Sequence, residues 1–291
     1  MSSLYRLRHK CSVTILFACI AFLSSFAQQQ TPNWSEQERP IAAGIISLRG
    51  LPDDVRSQTT KDLALQIRAL SASANKLALA NKLASRATEG DFGHDTLQEV
   101  ATTLAAALQQ QPPEQKLSPD PYDELAQLVR YEHVQVSLND PRYDEAMAAL
   151  ATADKRRQDA NFTLTDLHGK SWTLDELRGE VVLVNFWATW CPPCQKEMPD
   201  LEALYKEFRH KRFVILAVSD EDADKVRPFI AERRISYPIL LDPGHKVGNE
   251  FQVEGIPRSF VYDREGKLVA QSIDMRTEKQ FREMLAQAGL K

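Results

Sequence analysis

Cysteine is scarce in this chain: 291 residues hold only four, and two of those, Cys11 and Cys19, fall within the first twenty positions. So thin a supply excludes a disulfide-stapled scaffold, which spreads several cysteines through a small fold. Histidine is sparse as well, and His168, His210 and His245 stand singly rather than in ligand-spaced groups. There is no long run of Lys or Arg and the formal net charge is -4, so no electrostatic footprint for nucleic acid exists. Nor does the N-terminal apolar run reach the roughly 20 residues that carry a helix across a bilayer. What the chain does have is length, enough for two folded units each with its own core.

The first residues pair a basic head, Arg6, Arg8 and Lys10, with an apolar run over 13–22 and a small-residue stretch ending Ser25-Phe26-Ala27. This is the pattern of an export signal spanning 1–27, cleaved after Ala27. Two other readings remain: an uncleaved segment kept as an anchor, and a lipoprotein whose attachment box is Leu16-Phe17-Ala18-Cys19. Bulky Phe17 and the apolar residues 20–23 fit that box poorly. All three readings export the protein, to the periplasm or the outer face of the cytoplasmic membrane. Removal of the leader leaves Cys191 and Cys194 as the only cysteines, a tight pair in a chain with ample apolar residues. Such a pair is there for chemistry rather than for stapling.

Residues 28–50 are Gln-rich and Pro-interrupted, and read as a linker. From 51 to 157 the pattern is helical, rich in Ala, Leu, Gln and Lys, and predicts an all-α domain of four or five helices. Leu63, Ile67 and Leu70 share one face, as do Leu97, Val100, Leu104 and Leu108, with Asp95 as expected N-cap and Gln98 as its capping-box partner. Four prolines between 111 and 121 end that helix. Leu125, Leu128, Val129 and Val136 then resume a stripe, and Asn139-Asp140-Pro141 starts a last helix.

Over 158–291 strands and helices alternate. A hairpin is expected around Asp166-Leu167-His168-Gly169, then a nearly continuous apolar strand over 181–187, of the kind buried on both faces of a central sheet. Residues 196–208 are amphipathic, 213–218 form a second buried strand, 223–233 a second helix and 238–241 a short strand. Strands at 259–262 and 268–273 and a helix over 277–288 close the chain. A mixed central sheet flanked by helices follows, preceded by the all-α domain.

Trp190-Cys191-Pro192-Pro193-Cys194 sits where the buried strand passes into a helix. Two cysteines separated by two residues can close a disulfide, and the first lies at a helix N-terminus, where free amide groups and the helix dipole favour a thiolate. Cys191 is therefore the expected nucleophile, solvent-accessible, with Cys194 one turn inward to resolve the mixed disulfide. No metal or further cofactor is expected beyond this redox-active disulfide. The bland alternative, half of a zinc site, would need two more Cys or His ligands, and no second paired set exists.

The run Asn185-Phe186-Trp187-Ala188-Thr189-Trp190-Cys191-Pro192-Pro193-Cys194, followed by Gln195-Lys196-Glu197-Met198-Pro199, resembles the TlpA/ResA-like branch of the thioredoxin family. The resemblance extends over about 161–290 and implies a thioredoxin-like fold and thiol-disulfide oxidoreductase activity. It implies a cis proline at Pro257, within Gly255-Ile256-Pro257, facing the dithiol, with the Ile256 backbone pairing with an extended substrate. It places Glu197 as an acidic residue beside the dithiol, able to raise the thiol pKa values and to exchange a proton. Asn185 stands where thioredoxins proper carry a buried aspartate. Residues 246–253 match the extra helix and strand of this branch.

Trp187 is expected in the core, and Trp190 as a shield for the disulfide and an apolar platform for a substrate protein. The family implies a reductant of client disulfides, in cytochrome c maturation or copper-site assembly, fed by a membrane thiol-disulfide donor. Two competing functions belong to other classes. One is a thiol peroxidase, for which Thr189 near Cys191 is the only hint. The other is a scaffold in which the helical half binds a partner; for that half a spacer or a homodimerisation module is the plainer reading.

Overall fold

The computed structural model describes residues 33–291; the expected leader, 1–27, and the start of the expected linker lie outside the described residues. Helix α1 (Glu38–Ser47) occupies the rest of that linker, which corrects the expectation of a tether. Ile41, Ile45 and Leu48, spaced to share one helical face, are buried against the helices that follow. Pro40 does not interrupt α1, because it falls in the first turn, where a backbone N–H has no intrahelical partner. Within 34–291 the chain is one compact unit.

Five more helices precede the sheet among the described residues: α2 (Asp53–Ala69), α3 (Ala74–Ala87), α4 (His94–Gln110), α5 (Pro121–Tyr131) and α6 (Pro141–Asp159). Their starts follow short-range chemistry. Ser73, Asp120 and Asp140 cap α3, α5 and α6 by accepting backbone N–H groups, and the two Asp caps are each followed by proline in the first turn. For α4 the cap is Gly93 instead of Asp95. Gly93 has φ 75°, a left-handed conformation that glycine adopts without steric cost. Gln98 is then free to bond the 135 backbone, donating to Gln135 O at 2.7 Å and accepting from Gln135 N at 2.9 Å. Leu63, Ile67, Leu97, Val100, Leu104, Leu108, Leu125 and Leu128 all enter one core. Val136 packs on it from beyond the end of α5, outside any helix.

The sheet contains β1 (Thr163–Asp166), β2 (Ser171–Thr173), β3 (Val181–Phe186), β4 (Phe213–Ser219), β5 (Ile239–Leu241), β6 (Arg258–Tyr262) and β7 (Leu268–Gln271). Their spatial order is β2-β1-β5-β4-β3-β6-β7. Strands β3, β4 and β5 are parallel and joined through α7 (Pro192–Phe208) and α8 (Ala223–Arg233), while β6 runs antiparallel to β3. Every residue of β3 is buried, so its alternation shows only in the partners. Val181 and Leu183 face a core shared with α7, α8 and α10 (Glu278–Gln287), and Val182, Val184 and Phe186 face one shared with Phe251 at the end of α9 (Lys246–Glu250). This is the thioredoxin-like arrangement, a mixed sheet with helices on both faces.

The helical half meets the sheet through polar groups. Arg157 of α6, almost wholly buried, donates from Nε to Phe251 O at 2.9 Å and from Nη1 to Gln271 Oε1 at 3.0 Å. Its own carbonyl accepts from Tyr262 Oη at 2.6 Å, and its guanidinium lies 5.2 Å from the Phe260 ring centroid. Among the described residues no helix is long and apolar enough to cross a membrane.

Candidate active site

The end of β3 delivers the chain to α7 through Trp187, Ala188, Thr189 and Trp190. Cys191 is the N-cap of α7, and Pro192 and Pro193 fill the first turn, where missing amide hydrogens cost little. Cys191 and Cys194 are joined by a disulfide, and the Cys194 N–H donates to Cys191 Sγ at 3.2 Å. That amide, with the helix dipole, is the group that would stabilise a thiolate at 191 after reduction.

Across from the pair, the Ile256–Pro257 peptide bond is cis, and Ile256 O lies 3.7 Å from Cys191 Sγ. Pro257 is buried and Ile256 partly so. The dithiol motif and the 255–257 loop, about sixty residues apart in the chain, are thus brought together. One expectation needs correction: Cys191, expected to be solvent-accessible, is only 2% exposed and Cys194 0%, so the pair is recessed in the oxidised form. The Ile256 side chain packs against the same apolar cluster that holds both cysteines. Trp190, at 68% exposure, stands out from the surface beside the disulfide instead of covering it. Trp187 is buried and stacks on Phe229, with ring centroids 5.7 Å apart.

Glu197 is buried, not a solvated helix residue. Asn185 Nδ2 donates to its Oε1 at 2.8 Å and the backbone N–H of Arg276 donates to its Oε2 at 3.2 Å. Burial pushes the carboxyl up to about 8, against these hydrogen bonds, which hold it down. A group with that value gains and loses a proton near neutral pH, as an acid-base partner for thiols requires. Asn185 is itself buried on β3 and also donates to Ser259 Oγ of β6 at 3.1 Å. The residue that replaces the thioredoxin aspartate therefore serves as the carboxylate's hydrogen-bond donor.

Thr189 is tied elsewhere: its N–H donates to Glu221 Oε2 at 2.5 Å and its Oγ1 donates to Glu221 Oε1 at 2.8 Å. The single hydroxyl proton is thus committed to Glu221. Among the described residues, no group of three or more His, Cys, Asp or Glu side chains is placed to hold a metal ion.

The site therefore joins a strand-to-helix Cys-Pro-Pro-Cys disulfide to a cis proline, with a buried glutamate one turn on. The chain is 38% identical over 122 residues to thiol-disulfide oxidoreductase ResA of Bacillus thuringiensis (strain Al Hakam), covering 42% of this chain and 70% of that protein. It belongs to the ResA-like thiol-disulfide oxidoreductases. The ResA of Halalkalibacterium halodurans is 33% identical over 153 residues, which cover 52% of this chain and 87% of that one. The AhpC/TSA family model matches residues 156–271. A crystal structure of StoA from Bacillus subtilis, 25% identical, covers 43% of this chain and 96% of its own, with a TM-score of 0.40. The AhpC/TSA match runs over the sheet from the end of α6 to β7, so the helical half lies outside most of it.

Residues of the site that sequence reading missed come from that helical half and from the loop between β7 and α10. The Arg276 side chain forms a buried ion pair with Glu132 at the end of α5. Burial raises Asp274 to about 6, with Glu89 adding to it, and raises Glu124 of α5 to about 7, with Asp274 and Asp123 adding to it. Arg258, whose Nη1 donates to Gln127 Oε1 at 3.3 Å, is lowered to about 10 by burial and then by Arg157. No periodicity or spacing marks these residues, because their partners lie far off in sequence.

Proposed function

We propose that the protein is an exported reductant of client disulfides, with Cys191 as nucleophile, Cys194 as resolving thiol and Glu197 as their proton partner. The single observation that carries this reading is the Cys191–Cys194 disulfide at the N-terminus of α7, set against the Ile256 carbonyl and Pro257. In the reduced protein the Cys191 thiolate attacks one sulfur of a client disulfide. A bond forms between Cys191 Sγ and that sulfur, and the other client sulfur leaves as thiolate and takes up a proton. The Cys194 thiol then passes its proton to Glu197 and attacks Cys191 Sγ, which closes the internal disulfide and frees the second client thiol. Two electrons pass from the dithiol to the client. A membrane thiol-disulfide carrier then returns the pair to the reduced state.

Recession of Cys191 favours clients that present an extended segment. Such a segment laid along the Ile256 backbone as an added strand brings its sulfur to the pair, with exposed Trp190 as the apolar contact beside it. Apoproteins of cytochrome c maturation or of metal-site assembly, whose cysteines must be reduced before they take haem or metal, are clients of this kind. The test is to express the full chain with Cys194→Ser and isolate what stays joined to Cys191. Haem-attachment or metal-site apoproteins in the trap support the reading. A Cys191 thiol that resists alkylation at neutral pH in the reduced, folded wild-type protein overturns it.

A further inference from the structure

The carboxylate of Glu197 is held by two donors from different places, Asn185 Nδ2 on β3 and the backbone N–H of Arg276 in the 272–277 loop. Asn185 is fixed by its strand. The loop is fixed by the helical half. Arg276 pairs with Glu132, and the two side chains are only 5% and 10% exposed. Lys279 Nζ, just beyond the loop, lies 2.8 Å from Asp91 Oδ2, and Gln280 Nε2 donates to Gly90 O at 3.3 Å. Three holds from the segments after α3 and α5 therefore grip the stretch whose backbone reaches Glu197.

We propose that Arg276 is a positioning residue for the redox site, anchored by Glu132, so that the helical half fixes the hydrogen bonding of Glu197. This rests on the reading of Glu197 as proton partner of the dithiol. The groups around Glu197 set the signs. Asn185 comes from β3, Asp274 and Arg276 come from the loop, Tyr237 approaches ahead of β5, and Cys194 lies on its own helix with Cys191 as the cap. Arg276 and the two donors favour the charged carboxylate, whereas Asp274 and burial oppose it.

Two variants separate anchoring from charge. Glu132→Gln and Glu132→Met both remove the carboxylate and leave the Arg276 charge in place, but the Gln amide oxygen still accepts from Arg276 whereas Met offers no acceptor. Losing the Arg276 N–H bond in Glu132→Met then moves Glu197 upward relative to Glu132→Gln. The readout is carboxyl titration by NMR of the full, oxidised chain labelled at glutamate carboxyl carbon. The Glu197 signal is identified by its loss in Glu197→Gln, and the cysteines do not titrate in that state.

The expected midpoint is about one pH unit higher in Glu132→Met than in Glu132→Gln. The pH profile of disulfide exchange by the reduced enzyme changes between the two in the same sense, and the same pair of substitutions gives identical profiles in the Glu197→Gln background. Folded Glu132→Met and Glu132→Gln proteins with the same midpoint overturn the proposal, as does, should Glu132→Met not fold, a Glu132→Ala protein whose midpoint equals that of Glu132→Gln. A profile change that persists without Glu197 overturns it too. Absence of thiol exchange in the wild type would instead sink the proposed function, whatever the titration shows.

Discussion

Glu197 carries a stability cost that is readable in solution. Its folded-state value is about 8 against an ordinary 4.5, so between those pH values the unfolded chain releases a proton that the folded chain keeps. Stability from this group is fully present below about 4.5 and is lost as pH rises through the folded value. Glu197→Gln removes the effect while keeping the shape. Urea unfolding should therefore show wild type losing roughly 4 kcal/mol more than the variant between pH 4.5 and 9. Identical pH dependence of the two proteins would mean that Glu197 ionises as an ordinary carboxylate. Trp190, exposed beside the disulfide, should behave in the opposite way. Trp190→Ala is expected to leave the unfolding midpoint within experimental error while slowing reduction of a protein disulfide about tenfold, as expected for losing about 1.4 kcal/mol of aromatic contact. Reduction of a small aromatic disulfide should change much less, and equal slowing of both would argue that Trp190 acts on the sulfurs themselves.

Elements differ in how far local chemistry specifies them. Helix α10 begins at a complete capping box, in which Thr277 accepts from Gln280 N and the Gln280 side chain accepts from Thr277 N. It buries Phe281 and Leu285 against the core beside the dithiol. Thr277→Ala should lower stability by about 1 kcal/mol, seen as a drop in thermal midpoint without loss of the spectroscopic signature of the disulfide. This start was legible in the sequence, as were the Asp140-Pro141 start of α6 and the strand-to-helix passage at Cys191. The start of α4 was not, because Gly93 and Asp95 are both plausible caps locally and only the backbone turn at 91–93 decides between them. Helix α1 was missed for a related reason. Its apolar residues span barely two turns, and a proline that reads as a breaker is harmless once it falls in the first turn.

At the scale of the whole molecule, two apolar cores flank the sheet and a third fills the helical half, but the halves meet through buried charges. Arg157 bridges α6 to Phe251 and Gln271, and also donates to Asp154 on its own helix. Replacing it with Met leaves several acceptors unpaired in a buried setting, and should cost about 3 kcal/mol. The measurement is the denaturant midpoint, and a change below about 0.5 kcal/mol, the range of an ordinary surface substitution, would show that water replaces these bonds freely. An interface made of such groups is sensitive to pH where an apolar one is not. Glu124 and Asp274, raised from 4.5 to about 7 and from 3.8 to about 6 chiefly by burial, lose their contributions as pH rises through those ranges, so their share is complete by neutrality while that of Glu197 continues to about 8.

The sequence by itself determined the motif, the elements around it and the thioredoxin-like class, because strand pattern, helix caps and cysteine spacing act over a few neighbouring residues. Only the tertiary structure decided that Cys191 is recessed, that Glu197 is buried between Asn185 and the Arg276 backbone, and that Glu132 reaches that loop from the other half of the chain. Burial and electrostatic coupling depend on which distant segments meet, and no local pattern records the meeting of residue 132 with residue 276.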